Sequence, residues 1–293
     1  MFIARSPLLL SAIAALSIGN AHALGKPPYP LRDTASANRP TTPAVSRNPV
    51  QDELRPSIPV TGYNLVWEDE FKGRSLDSRN WTAWNKAVEN AYDDPDSVHV
   101  DDGELTIQTH TERDGLHHSG FLSGKGHFET TYGYFEARIN FHDSPGSWCA
   151  FWLESSSIVP AVPNVTGVEV DVVEHLPGNP NSYPVHVHNW SSNGFRQDHT
   201  AVGGSAYTNG PSLEDNYHTY GVLWTPQGYT FFLDGVKQWQ TSAYASHDKK
   251  YMLLTCEVLD NSWAGSIPRG GYGNASQSKT RMKVDWVRVW QKN

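Results

Sequence analysis

Cysteine is almost absent: Cys149 and Cys256 are the only two in 293 residues. Two thiols make no disulfide framework and sit too far apart in sequence to suggest a zinc site, and the residues alone leave open whether they pair or are buried as small apolar side chains. Basic charge is also short, with 23 Lys and Arg against 31 Asp and Glu and a formal charge of −8. No basic patch is visible, which excludes a nucleic-acid partner and disfavours a heavily sulfated or uronate-rich ligand. Long apolar runs are missing, as are long amphipathic helical patterns and internal repeats.

The one apolar run, Pro7 to Ile18, is too short for a membrane anchor. It follows the basic Arg5 and precedes Ala21-His22-Ala23, an order that predicts a secretory signal peptide over 1–23, cleaved after Ala23. The mature protein is therefore expected to be secreted, extracellular or periplasmic, without membrane attachment, and monomeric. Residues 24–59 are rich in Pro, Ser, Thr, Asn and Arg and cannot bury enough apolar surface to offset their ordering entropy. They read as a disordered linker. Residues 60–293 are long enough for a single sandwich or barrel with a large core.

Aromatics are abundant, with eleven Trp and thirteen Tyr. Short β-prone runs, among them Gly133 to Phe141, Val168 to Val173, Val185 to Trp190 and Tyr251 to Val258, alternate with breakers such as Pro145-Gly146 and Pro226-Gln227-Gly228. This pattern predicts an all-β sandwich or barrel rather than βαβ units. Tyr229 to Val236 predicts a hairpin turning at Asp234-Gly235.

The segment carrying chemistry is Val168-Glu169-Val170-Asp171-Val172-Val173-Glu174-His175. With a period of two, Glu169 and Asp171 share a strand face and Glu174 falls out of phase. One extra residue at Val172-Val173, a β-bulge, returns Glu174 to that face. Three adjacent carboxyls raise one another's pKa, which holds one protonated while another is ionised. That asymmetry is what a retaining glycosidase needs from its two carboxyls.

Glu-Val-Asp-Val-Val-Glu at 169–174 resembles the E-x-D-x-x-E signature of glycoside hydrolase family 16, laminarinase- and agarase-like, in its bulge-containing form. Trp67-Glu68-Asp69-Glu70-Phe71, Tyr132 to Arg138, Trp148 to Trp152, Tyr217 to Pro226 and Val284 to Trp290 resemble further strands of that family in consistent order over about 63–291. The resemblance implies a β-jelly-roll sandwich of two antiparallel sheets with a concave substrate cleft. It implies Glu169 as nucleophile, Asp171 as its assistant and Glu174 as general acid/base. It places Trp148, Trp152 and Trp263 among the cleft aromatics, where indole faces stack on sugar rings. It also implies a structural calcium held by the carbonyls of Glu70 and Gly103 with Asp285, while no cofactor is required for the reaction.

His186 and His188 form an H-x-H pair on one strand face. Two histidines with a carboxylate suit a metal, yet no third ligand stands at fitting spacing, so His188 is read as hydrogen-bonding the sugar or Glu174. Several positions depart from the β-1,3-glucanase pattern. Cys149 stands where a proline is usual, Asn90-Ala91-Tyr92-Asp93 replaces an aromatic-rich segment, and Glu257 occupies a late strand that is mostly apolar. Glu257 resembles the galactan-cleaving members and is expected in the cleft. The reading is a retaining endo-hydrolase of a neutral β-linked polysaccharide, with β-1,3- or β-1,3-1,4-glucan ahead of an agar-like β-galactan. A transglycosylase on the same covalent intermediate and a non-catalytic carbohydrate-binding sandwich are the rival readings.

Overall fold

Gly133–His142 sets the pattern for the whole molecule. Phe135, Ala137, Ile139 and Phe141 enter the core, while Tyr134, Glu136, Arg138 and Asn140 take the other face. A computed structural model of the chain describes residues 58–101, 103–157, 166–192, 197–206, 212–214 and 216–293. The predicted signal peptide, and all but the last two residues of the predicted linker, lie outside them. Pro59–Asn293 forms one compact unit.

The strands begin with β1 (Tyr63–Asp69), β2 (Thr82–Ala83), β3 (Lys86–Val88), β4 (Ala91–Asp93), β5 (Val98–Asp101), β6 (Glu104–Gln108) and β7 (His110–Thr111). Then come β8 (His117–Ser119), β9 (Phe121–Ser123), β10 (Gly133–His142), β11 (Ser147–Ser155), β12 (Thr166–His175) and β13 (Tyr183–Ser192). The chain finishes through β14 (Gln197–Ala206), β15 (His218–Thr225), β16 (Gly228–Leu233), β17 (Val236–Thr241), β18 (Lys250–Val258) and β19 (Arg281–Lys292).

One large sheet runs β17-β16-β15-β10-β19-β6-β5, with β1 also paired to β19. The second runs β14-β13-β12-β11-β18-β9-β2, and a small sheet joins β3, β4, β8 and β7. Pairing within both large sheets is antiparallel. Their facing sides share one core, in which Phe135, Ile139 and Val222 of the first meet Phe151, Val170 and Leu254 of the second. Among the described residues there is no α-helix. The result is the expected jelly-roll sandwich.

Local chemistry explains the joints. The β16–β17 turn has φ of 47° at Asp234 and 75° at Gly235. Two positive φ values in a two-residue loop match the twist of the flanking strands, as Asp-Gly predicted. Cys149 and Cys256, whose pairing the sequence left open, are bonded across directly opposed positions of β11 and β18 with Cα atoms 4.1 Å apart.

Candidate active site

The acid strand β12 is built as its valines dictate. Val168, Val170, Val172 and Val173 enter the core, and Glu169, Asp171 and Glu174 take the opposite face. Against β11 the register runs Glu154–Glu169, Leu153–Val170 and Trp152–Asp171, then shifts to Phe151–Val173 and Ala150–Glu174. Val172 is the unpaired extra residue, so the bulge lies where the sequence required one. All three carboxyls are nearly closed to solvent, at 2%, 4% and 5% exposure for Glu169, Asp171 and Glu174.

Each carboxyl has a named partner. Trp190 Nε1 donates to Glu169 Oε2 at 2.8 Å. His188 Nε2 lies 3.0 Å from Asp171 Oδ2, and Asp171 also shares a hydrogen bond with Glu169. His186 Nδ1 lies 2.8 Å from Glu174 Oε2. Glu154, directly opposite Glu169, accepts from the Tyr251 hydroxyl.

The histidines reach the acids through register. On β13, His188 stands opposite Glu169 and His186 opposite Asp171, while Val185 and Val187 fill the core. Gly203 of β14 stands opposite His186, and a Cβ there would collide with the imidazole, so the missing side chain makes room for the ring.

Electrostatics follow from burial. Desolvation, then the charge of Asp171, pushes Glu169 well above the usual carboxylate range. Desolvation, then the charge of Glu174, does the same to Asp171. Burial opposes the charged form of His186, but the hydrogen bond and charge of Glu174 win and its pKa is raised. Glu169 and Asp171 thus titrate as a coupled pair, able to hold one proton between them while the other acid is ionised.

The other expected positions divide. Trp148 and Trp152 alternate onto the acid face, yet each is only 5% exposed. Trp152 Nε1 donates to Thr255 Oγ1 at 3.1 Å, and Trp148 packs on Trp263 with ring centroids 5.0 Å apart. Glu257 faces the same side, opposite Trp148. Burial, then Asp93 and Glu89, raises its pKa to about 8. His188 does not meet Glu174: His186 does, because the β12–β13 register sets His188 opposite Glu169 and His186 nearer the Glu174 end of the strand. Asp171, absent from the spacing argument as a third donor, brings one ligand atom within 4.8 Å of His186 and His188. Glu70 and Asp285 lie in the other sheet's neighbourhood, where their carboxylates pair with Arg288 and Arg138.

Sequence reasoning missed Trp190, Glu154, Tyr251 and His199. Trp190 continues the His186, His188 period of two and was findable. His199 lies on β14, whose polar, glycine-containing sequence carries little strand signal.

An all-β jelly roll with a bulged E-x-D-x-x-E strand across one sheet defines a carbohydrate-active sandwich of glycoside-hydrolase type. The family model for the GH16 domain of beta-porphyranases A–D matches residues 65–292, and the chain belongs to glycoside hydrolase family 16. It is 25% identical over 314 residues to glucan endo-1,3-beta-glucosidase A1 of Niallia circulans, covering 94% of this chain and 42% of that protein. It is 30% identical over 246 residues to endo-1,3-1,4-beta-glycanase ExsH of Rhizobium meliloti, covering 78% and 48%. The chain spans less than half the length of these two relatives. Among solved structures, SCLam, a non-specific endo-beta-1,3(4)-glucanase, aligns with a TM-score of 0.60 at 25% identity, over 82% of this chain and 95% of that one. Porphyranase B of Zobellia galactanivorans shares the fold, with a TM-score of 0.62 at 22% identity over 78% and 92%.

Proposed function

We propose that the protein is an endo-acting glycoside hydrolase that cleaves a β-linked polysaccharide with retention. The observation that carries this reading is the unpaired Val172, which sets Glu169, Asp171 and Glu174 on one buried face. Glu169, ionised while the proton of the coupled pair rests on Asp171 and held by Trp190, attacks the anomeric carbon. Glu174 protonates the departing glycosidic oxygen, giving a glycosyl-enzyme on Glu169. Glu174, now a carboxylate, takes a proton from the incoming water, which releases the sugar and restores both acids. Asp171 adjusts the charge of Glu169 through their shared hydrogen bond, and Trp148, Trp152, Trp263, His188 and Glu257 shape the sugar subsites.

The substrate is a β-1,3- or β-1,3-1,4-glucan, by analogy with the relatives named for those linkages. A β-galactan is the second reading, favoured by the porphyranase family model and by the cleft carboxyl of Glu257. Export follows from the predicted signal over 1–23, and among the described residues no helix is long and apolar enough to cross a membrane. A monomer suffices for this chemistry.

A structural calcium belongs to the same proposal. Gly103 N–H donates to Phe71 O at 3.1 Å, and β19 passes from Leu105–Val284 pairing to Asp69–Val287 pairing around Asp285. The family resemblance gives the carbonyls of Glu70 and Gly103 with Asp285 as the ion's ligands, an oxygen set that suits calcium. Such an ion would stabilise the fold and take no part in cleavage.

The test is reducing-sugar release from laminarin, lichenan, agarose, porphyran, carrageenan and arabinogalactan by wild type, Glu169→Ala and Glu174→Ala. Cleavage of one polymer by wild type alone supports the reading and names the substrate. Equal cleavage by either variant sinks the two-glutamate mechanism. Sugar-chain lengthening at high acceptor concentration would mark a transglycosylase.

A further inference from the structure

Beyond the three carboxyls, a chain of rings leads from Asp171 to the edge of the sheet. His188 Nε2 lies 3.0 Å from Asp171 Oδ2, and His188 Nδ1 lies 2.7 Å from His199 Nε2. The His188 and His199 rings stack at 4.9 Å and 16°. His199 also stacks on Trp190 at 4.0 Å, directly opposite it in register. Trp190 closes the circle by donating to Glu169.

The outer end of this chain is the accessible one. Asp171 is 4% and His188 2% exposed, whereas His199 is only half-buried, on β14, the outermost strand of its sheet. A carboxyl this buried exchanges its proton more readily along a path, and here ring nitrogens offer one.

We propose that His188 and His199 form a proton relay that sets the charge of Asp171, with His199 as its solvent-side terminus. The inference rests on the reading of Glu169 as nucleophile and Asp171 as its assistant. A single proton occupies the 2.7 Å contact between the two rings. With Asp171 ionised, His188 carries its proton on Nε2, the nitrogen nearer the carboxylate, and accepts from the Nε2–H of His199. A proton taken up at Nδ1 of His199 sends the Nε2 proton of His199 to Nδ1 of His188. Asp171 Oδ2 accepts no hydrogen bond in this arrangement, so His188, whose Nε2 lies 3.0 Å away, passes its own Nε2 proton there once the ring turns into line. One proton enters and one is delivered; both rings end neutral with inverted tautomers.

Protonated Asp171 donates to ionised Glu169, and ionised Asp171 repels it. The relay thus lets Asp171 follow the charge that Glu169 loses on forming the glycosyl bond and regains on hydrolysis. The groups facing the relay are Glu169 and Glu174 on β12, Glu154 on β11, His186 on β13, and Tyr251 and Glu257 on β18. Burial, then the neighbouring His188, lowers the pKa of His199, which keeps that ring neutral and able to accept or release a proton.

The test compares wild type with His199→Gln and His199→Phe in pH profiles of kcat/KM on the polymer cleaved by wild type, beside Glu169→Ala. The protonated relay needs an acceptor for His188 Nδ1–H; imidazole is a strong one, the glutamine carbonyl a weaker one, and phenylalanine keeps the stack on Trp190 without any. The acid-side midpoint is expected to fall from wild type to Gln to Phe, by about one pH unit in all, the size of one hydrogen bond's net contribution. Profiles that superimpose after scaling, whatever the loss in rate, overturn the relay and leave His199 a packing residue. If Glu169→Ala cleaves as well as wild type, the failure belongs to the underlying mechanism instead.

Discussion

Trp190 holds Glu169: the indole N–H donates to Oε2 at 2.8 Å, from a strand that places the two residues diagonally across the β12–β13 pair. This is a charge-assisted bond to a buried carboxylate, worth about 1.5–3 kcal/mol. Trp190→Phe, which keeps the ring against His199, should therefore lower kcat/KM by roughly 10- to 100-fold. The loss should exceed that of a tryptophan on the far sheet such as Trp239→Phe. Steady-state kinetics on the cleaved polymer decide it.

His186 is a pH-dependent stabiliser. Its pKa is raised in the folded protein by Glu174 against the cost of burial. A histidine raised on folding contributes stability below its free value of about 6.5, and that contribution is lost as pH rises through the folded value. Thermal melts of wild type and His186→Gln should differ most at pH 5 to 6 and converge on the alkaline side. A gap that widens with rising pH would contradict the pairing.

Glu257 works in the opposite direction. Desolvation, with Asp93 and Glu89 behind it, raises its carboxyl to about 8 from an ordinary 4.5. The folded state therefore prefers the protonated form, and wild type loses stability as pH rises toward and through 8. Glu257→Gln mimics the neutral acid. Its melting temperature should match wild type near pH 4.5 and exceed it at pH 8 to 9.

The Cys149–Cys256 bond closes a loop with a sequence separation of 107 and ties β11 to β18 beneath the site. By chain entropy alone a loop of that length is worth up to about 4.7 kcal/mol, and measured bonds of this kind give about 2–4. A Cys149→Ala/Cys256→Ala double variant should show that loss in denaturant unfolding, and reductant should have no effect on it.

The all-β class, the acid strand and its bulge were all readable in the sequence. Alternation of valine and acid has a fixed period of two, and Glu174 could share a face with Glu169 only through one extra residue. The Asp234-Gly235 turn was equally local, since only residues tolerant of positive φ close such a hairpin. Tertiary structure decided which histidine meets which acid. Register across β12, β13 and β14 is a relation between distant segments: it sets His188 opposite Glu169 and leaves His186 to meet the Glu174 that the bulge returned to this face. It decided the cysteine pairing, because only the β11–β18 register brings two residues so far apart in sequence opposite each other. His199 shows the limit most plainly. Its strand is polar and holds Gly203 and Gly204, a composition with little β signal of its own. It forms because β13 offers an edge to pair with, and pairing energy comes from the partner strand, which no local window of sequence contains.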